Sequence, residues 1–330
     1  MSVADTKGKT LPARAYTSPD VYEAEMREVF LKSWNFACHV SDVAEPGRFW
    51  TTTIAGEPIA VLRDKDGQLR ALSNVCRHRA ARILDGQGSC PKVLRCPYHG
   101  WTYRQDGQLA AVPEARGFED LDRESVRLPA FRVGELSGMV FVCMSEETEP
   151  LDTYFGDLAE KLAPLRLAEL GAGPRIANGY DHNWKVITDN YLEGYHIPVG
   201  HPGLLRLLDY KRYLATPGKN HSWIDGPFRG KPSRHYQERL YQRLMRPMAG
   251  FISGRGVIRS VVATMFCSRV ARAFDQPHPA SGAPPESASK QGRDEGHRSP
   301  TMADVSGQVK RHGLRPSARC APAPPPGPHP

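Results

Sequence analysis

The chain of 330 residues contains no apolar run of the roughly 18 residues that a membrane span requires. It has no Gly-rich nucleotide-binding loop, which excludes the usual way of holding a nicotinamide or a flavin. Its first residues, MSVADTKGKTLPAR, hold no apolar segment of signal-peptide type, so a cytoplasmic protein is expected. The formal net charge is +8, but no block of Lys and Arg with interleaved aromatics exists. The basic residues are dispersed among acids, which argues against a nucleic-acid partner. Seven cysteines, an odd number scattered along the chain, speak against a disulfide framework. No aromatic residue follows Phe274, and the end of the chain is rich in Pro, Ser, Arg and Gly, closing with APAPPPGPHP. Such a composition cannot bury enough apolar surface to offset its ordering entropy. Residues 256–330 therefore read as a disordered tail, or as a stretch where the reading frame of the natural sequence has shifted.

What is present falls into two textures. Ser18 to Trp34 predicts a helix capped by Ser18 with Pro19 in its first turn, and Tyr22, Met26, Val29, Phe30 and Ser33 form one stripe. From Asn35 to about Cys143 the pattern changes to short strands. Asp66-Gly67 and Asp106-Gly107 each stand between alternating apolar residues, a hairpin signal in which both central residues reach positive φ. Arg127 to Val133 and Met139 to Met144 predict two more strands. Helical spacing returns over Leu151–Leu167, with Leu158, Leu162 and Leu165 inward and Pro164 near the end. His182 to Tyr195 predicts a helix stopped by Pro198 and Gly200. A loop follows at His201-Pro202-Gly203, and a helix can restart over Leu204–Tyr210.

Two constellations carry chemistry. The first is Cys76-Arg77-His78 with Cys96-Pro97-Tyr98-His99, two Cys-to-His pairs on loops of the strand-rich region. Two thiolates can hold one ferric iron and two neutral imidazoles the other, which raises the potential above that of an all-cysteine cluster. Zinc takes the same ligand set, but a zinc finger usually pairs Cys with Cys and His with His. Cys90 lies between the pairs, and the completeness of the other four argues against its being a ligand. Cys38, His39 and Cys143 read as ordinary strand residues. The second constellation lies in NWKVITDNYLEGYHIPVGHPGL, where Glu193, His196 and His201 stand within roughly two to three helical turns of chain. Two imidazoles and a nearby carboxylate can hold a divalent iron and leave positions open for oxygen.

The wider run CRHRAARILDGQGSCPKVLRCPYHGWTY closely resembles a Rieske iron–sulfur motif. With DNYLEGYHIPVGHP, the chain from about Tyr16 to about Phe251 resembles the large (alpha) subunits of Rieske non-haem iron oxygenases. The resemblance implies an α+β fold, with an antiparallel β Rieske domain and a helix-grip (START-like) catalytic domain. It implies a [2Fe-2S] cluster on Cys76, His78, Cys96 and His99, and a mononuclear Fe(II) on His196 and His201. In that family the carboxylate at the place of Glu193 is an inter-subunit electron-transfer bridge rather than a ligand, and the subunits form rings, commonly trimers. Electrons come from NAD(P)H through a partner reductase, with or without a ferredoxin, and O2 is co-substrate. Glu at position 193 is more like the choline-, carnitine- and betaine-type oxygenases than the ring dioxygenases. Hydroxylation of an aromatic ring and N- or O-demethylation both remain open.

The family's third iron ligand is an Asp on a late helix. Here that region offers Asp275, Asp294 and Asp304, and Asp304 in ADVSGQVKRHGL is the best placed of the three. The expected organisation is an N-terminal arm at 1–34, a Rieske domain at 35–150, a partial catalytic domain at 151–255 and the tail at 256–330. Trp223, Phe228 and Tyr236 are either an aromatic wall for an apolar or quaternary-ammonium substrate, or core packing. An electron carrier using the cluster alone, and an inactive copy lacking the third ligand, are the alternatives to a working oxygenase.

Overall fold

The computed structural model describes residues 10–90, 92–173, 181–227, 229, 232–240 and 243, and the backbone of two short strands further on. The chain opens with two helices, α1 (Arg14–Thr17) and α2 (Pro19–Glu25), the second continuing as a π-turn over Met26–Phe30. Ser18 is the N-cap of α2, with extended backbone, but its side chain makes no cap hydrogen bond. Pro19 alone sets the start, because its missing N–H would have no partner there in any case.

Strands then dominate, in the order β1 (Asn35–His39), β2 (Arg48–Ile54), β3 (Glu57–Arg63), β4 (Leu69–Ser73), β5 (Gln87–Ser89), β6 (Val93–Arg95), β7 (Thr102–Arg104), β8 (Leu109–Ala111), β9 (Ala130–Leu136) and β10 (Met139–Cys143). The main sheet runs β1-β10-β9-β4-β3-β2-β5, and Ala318–Arg319 adds a short parallel edge beside β5. Strands β6, β7 and β8 form a separate three-stranded antiparallel sheet. The Asp-Gly hairpins are in place but with a different turn. At Asp64–Gln68, Gly67 alone has positive φ, Gly67 N–H donates to Asp64 O, and Asp64 N–H donates to Gln68 O. Arg104–Gln108 repeats this pattern around Gly107. These are type I turns with a glycine bulge, not two-residue mirror-image turns. The turns with two positive φ values are Ala55-Gly56 and Ser137-Gly138.

Period-two alternation divides the sheet between two cores. Phe49, Ala60, Leu62 and Leu72 face Leu94, Tyr103 and Leu128 of the smaller sheet's side. Their neighbours Trp50, Ile59, Val61 and Ala71 face Val140 and Val142 on the other. Strand β10 belongs to two cores as well, since Phe141 and Cys143 point into a third with Trp34, Phe155, Leu158, Leu162 and Trp223. The predicted helix over Leu151–Leu167 is broken into α3 (Leu151–Phe155) and α4 (Leu158–Leu162). Gly156, at φ 57°, turns the chain between them, and Pro164 sits in a following 3₁₀ turn.

Three more helices follow: α5 (Trp184–Tyr191), α6 (Ile197–Gly200) and α7 (Pro202–Leu207). Next come β11 (Leu214–Pro217) and β12 (His221–Pro227). A further strand, β13 (Val257–Ala263), pairs antiparallel with β12 along its full length. Residues 257–263, read from sequence as the start of the tail, are thus a strand. Their run VIRSVVA is rich in β-branched residues, which suit a pleated surface. Trp223 is 5% exposed and belongs to the third core, so the core-packing reading holds for it. Tyr236 is 70% exposed, and Phe228 lies outside the described residues. Among the described residues no helix is long and apolar enough to cross a membrane.

The N-terminal arm grips α5. Lys185 Nζ lies 2.6 Å from both carboxylate oxygens of Glu25, and Trp184 Nε1 donates to Glu25 Oε2 at 2.9 Å. The Lys185 and Glu25 side chains are 8% and 16% exposed. Tyr16 Oη donates to Asp189 Oδ2 at 2.6 Å. Replacing Glu25 with Ala leaves a buried ammonium without its partner, and a loss of about 3–5 kcal/mol is expected from denaturant unfolding. The charge-free double replacement Glu25→Gln with Lys185→Met is expected to recover most of that loss, because no unpaired charge then remains buried.

Candidate metal centres

The two Cys/His pairs lie on loops with the same backbone design. After β4, Cys76 N–H donates to Ala81 O, and Ala80 N–H returns to Cys76 O. After β6, Cys96 N–H donates to Trp101 O, and Gly100 N–H returns to Cys96 O. In each loop the fifth residue counted from Cys is left-handed, Ala80 at φ 53° and Gly100 at φ 72°. This turn folds the chain back so that Cys and His point to one place. At Gly100 the glycine is required: a Cβ would lie 2.9 Å from Pro113 Cγ. Ala80 accepts the left-handed cost, about 1–2 kcal/mol.

The four side chains converge. Cys76 and Cys96 are each 2% exposed and their thiols are in hydrogen-bond contact. Burial pushes the Cys96 thiol up, backbone N–H groups of Tyr98 and His99 oppose this, and Cys76 alongside adds to the rise. Two thiolates so placed need a cation between them to stay ionised. Tyr103 Oη lies 3.2 Å from Cys76 Sγ and accepts from Arg77 N–H at 3.0 Å. Burial first, and then its bond to Cys76, push the Tyr103 phenol up, so it remains a donor toward sulfur. The rings of His78 and His99 meet edge to face at 4.7 Å, and His78 stacks on Trp101 at 4.9 Å with 4° between planes. Burial lowers the His78 pKa, and His99 and Arg79 add to the effect, which favours the neutral imidazole. His78 Nδ1 is buried with no hydrogen-bond partner. A buried orphan nitrogen beside two buried thiols fits a metal donor. A two-iron cluster takes two protein donors per iron. That agrees with there being, among the described residues, no group of three or more His, Cys, Asp or Glu gathered around a single ion.

Cys90 is not part of this set. Its carbonyl accepts from Gln105 Nε2 at 2.8 Å, and its sulfur is in a disulfide. The sequence argument against disulfides does not hold at that position. Cys38 and Cys143 are buried strand residues outside any disulfide, as expected. His39 caps a 3₁₀ turn, and its Nε2 lies 3.0 Å from Leu167 O.

The second centre is built on α5, α6 and α7. Helix α5, capped by Asn183 Oδ1 on Lys185 N–H, ends at Tyr191, four residues earlier than the sequence pattern predicts. The Glu193 carboxylate explains the stop. It accepts from the backbone N–H of Tyr195 and from that of His196, the latter at 3.3 Å, and so replaces the helical ladder. Pro198 does not terminate a helix; it stands in the first turn of α6, and Pro202 stands in the first turn of α7. His196 and His201 are the residues just before those two short helices, which aims both rings at one place, 5.0 Å apart and 73° between planes. Gly194 permits this fold, since a Cβ there would lie 2.3 Å from Tyr213 Cε1.

Glu193 Oε1 also bonds His196 Nδ1. Burial works to raise the Glu193 pKa, but the bonds from His196 and Tyr195 hold it below the usual carboxylate range. With Nδ1 donating to this carboxylate, Nε2 of His196 is left as a free lone pair, the arrangement metal-bound histidines use. The two imidazoles open on a cavity of about 910 Å³, with Ile197, Leu208, Tyr213 and Ile224 in its wall. Asp275, Asp294 and Asp304 lie outside the described residues. The donor bond of Tyr103 and the clasp of Glu25 on α5 were not anticipated from sequence; both join residues far apart in the chain.

With both centres built, the comparisons are specific. Residues 33–131 match the Rieske [2Fe-2S] domain, and residues 167–299 match the ring hydroxylating alpha subunit (catalytic domain), a match that runs past residue 255. The chain combines a Rieske [2Fe-2S] domain with the catalytic domain of ring hydroxylating alpha subunits, which implies a [2Fe-2S] cluster and a mononuclear iron. It is 37% identical to the carnitine monooxygenase oxygenase subunit of Acinetobacter pittii, over 64% of this chain and 57% of that protein. A solved quaternary ammonium Rieske monooxygenase, described in terms of carnitine oxidation and inter-subunit electron transfer, superposes with a TM-score of 0.64 at 36% identity. That match covers 67% of this chain and 61% of the other. Naphthalene 1,2-dioxygenase from Rhodococcus sp. gives 0.60 at 25% identity, covering 77% of this chain and 63% of the other. The chain thus spans little more than half the length of the carnitine relative.

Gly100→Ala places a methyl where Pro113 stands and at a φ that disfavours it. The expected outcome is loss of most of the iron–sulfur absorption in the visible spectrum, while a Gly56→Ala control, open on all sides, retains it.

Proposed function

We propose that this chain is the oxygenase component of a multicomponent Rieske system. It would hydroxylate a small quaternary ammonium compound with O2, taking electrons from a separate reductase. The observation that carries this reading is the pair His196 and His201 on the wall of a cavity lined by apolar residues and Tyr213. A cluster on Cys76, His78, Cys96 and His99 supplies single electrons, and an iron on His196 and His201 supplies the activation of dioxygen. The protein's own part is positioning. Glu193 fixes the tautomer of His196. Tyr213 covers the turn at Gly194. The apolar wall excludes water from the place where substrate sits.

The preference for a quaternary ammonium over an aromatic ring rests on Glu193 and on the relatives with 36–37% identity, against 25% for naphthalene dioxygenase. Tyr213 and Tyr191 offer ring faces suited to a methylated ammonium. Exposed side chains flank both centres: Tyr98 at 62% beside the cluster loop, and Tyr195 at 89% and Val199 at 90% beside the iron loop. Such patches are suited to a head-to-tail ring of copies, in which Glu193, 44% exposed, bridges to a neighbour's cluster.

An inactive copy lacking the third iron ligand is the second reading. Iron content separates the two. Roughly three iron atoms per chain, with oxygen uptake dependent on an added quaternary ammonium and a reductant, is the expected result. Roughly two, with no uptake, would leave an electron carrier. Glu193→Gln is expected to leave the cluster spectrum intact and to slow single-turnover product formation at least tenfold; unchanged turnover would remove Glu193 from the bridge.

A further inference from the structure

Arg206 is the one Lys or Arg in the wall of the iron-site cavity among the described residues. It stands on α7, five residues after His201, which is about 7.5 Å of helical rise. Its partner is Glu238, reached side-on: Nε and Nη2 donate to the same oxygen, Oε1, at 2.8 and 2.6 Å. The other oxygen of Glu238 accepts from Ser233 Oγ at 2.5 Å. Glu238 is 14% exposed and Arg206 45%. A guanidinium has two edges that match a carboxylate, the Nε/Nη2 edge and the Nη1/Nη2 edge. Glu238 occupies the first. Nη1 has no protein partner among the described residues, so the second edge is open. Among the described residues the one carboxylate in the cavity wall is Glu193, and it is bonded to His196.

We propose that Arg206, held side-on by Glu238, binds the carboxylate of a zwitterionic substrate with its open edge, and so selects betaine-type compounds over quaternary ammoniums that lack an acid. This rests on the quaternary ammonium reading above and sharpens it. The ammonium end lies toward the tyrosine rings and the histidines, and the acid end toward α7. Glu238 orients the guanidinium but also repels a second carboxylate, so the arrangement trades affinity for a fixed direction of binding.

The test is calorimetric titration of the iron-loaded full chain with L-carnitine and with choline. For Arg206→Gln, binding of L-carnitine is expected to weaken about ten- to a hundred-fold, the effect of losing a charge-assisted pair, with choline binding within about twofold of the original. For Glu238→Gln, which keeps an acceptor but removes the repelling charge, L-carnitine binding is expected to stay equal or tighten. Equal L-carnitine binding by Arg206→Gln and the unaltered chain overturns the proposal and leaves the substrate class standing. Parallel loss of L-carnitine and choline in Arg206→Gln, or the same loss in both variants, assigns the pair to the fold of the pocket and overturns it as well. Failure of the unaltered chain to bind either compound overturns the substrate class, and this role of Arg206 with it.

Discussion

Two thiols buried side by side, with a neutral imidazole nitrogen that has no partner, set the terms for the first half of this protein. Such a donor set is costly to keep dry, since each ionised thiolate opposes the other. The fold tolerates it by giving each Cys a closed backbone turn and walling the site with Trp101 and Tyr103. Everything around the loops is arranged to hold them still: the smaller sheet behind β6 and β7, the core shared with Phe49 and Leu62, and the left-handed residues that reverse the chain.

The second centre uses a softer device. Its two histidines are placed by breaks in helical structure, and a single carboxylate makes the break. Glu193 withdraws two N–H groups from the ladder and takes the Nδ1 proton of His196. One side chain thus stops a helix, starts the next and chooses which ring nitrogen faces the cavity. Helix α5 itself is held from below by Glu25 on the N-terminal arm, so the direction of the iron site depends on residues more than a hundred positions away in sequence.

The residues that the structure gathers at the two candidate centres stood out in the sequence because rare residue types recur at short spacing: Cys76 to His78, Cys96 to His99, His196 to His201. The α+β class and the strand-rich first half were legible for a similar reason, since alternation is a local property. Turn types were not. Asp-Gly marked the right places, but Asp64 bonds the N–H groups of Asp66 and Gln68, which draws the turn into a longer form. Ala55-Gly56 gave no comparable signal and yet forms the tighter turn. Helix ends at Pro198 were misplaced because proline reads equally as a stop or as a first-turn residue; the deciding contact comes from Glu193. Contacts such as Tyr103 with Cys76 and Arg206 with Glu238 depend on which strands and helices become neighbours, and no local pattern carries that.

Strand β10 is buried along its whole length. Val140 and Val142 complete the core of the cluster-bearing sheet, while Phe141 and Cys143 on its other face complete the core that contains Leu158, Leu162 and Trp223. A strand with no solvent face is a party wall. The two halves of the protein are therefore not interchangeable cassettes: a Rieske domain exchanged between relatives would bring its own outer face of β10, and the receiving half would have to fit its helices to a surface it had not evolved against.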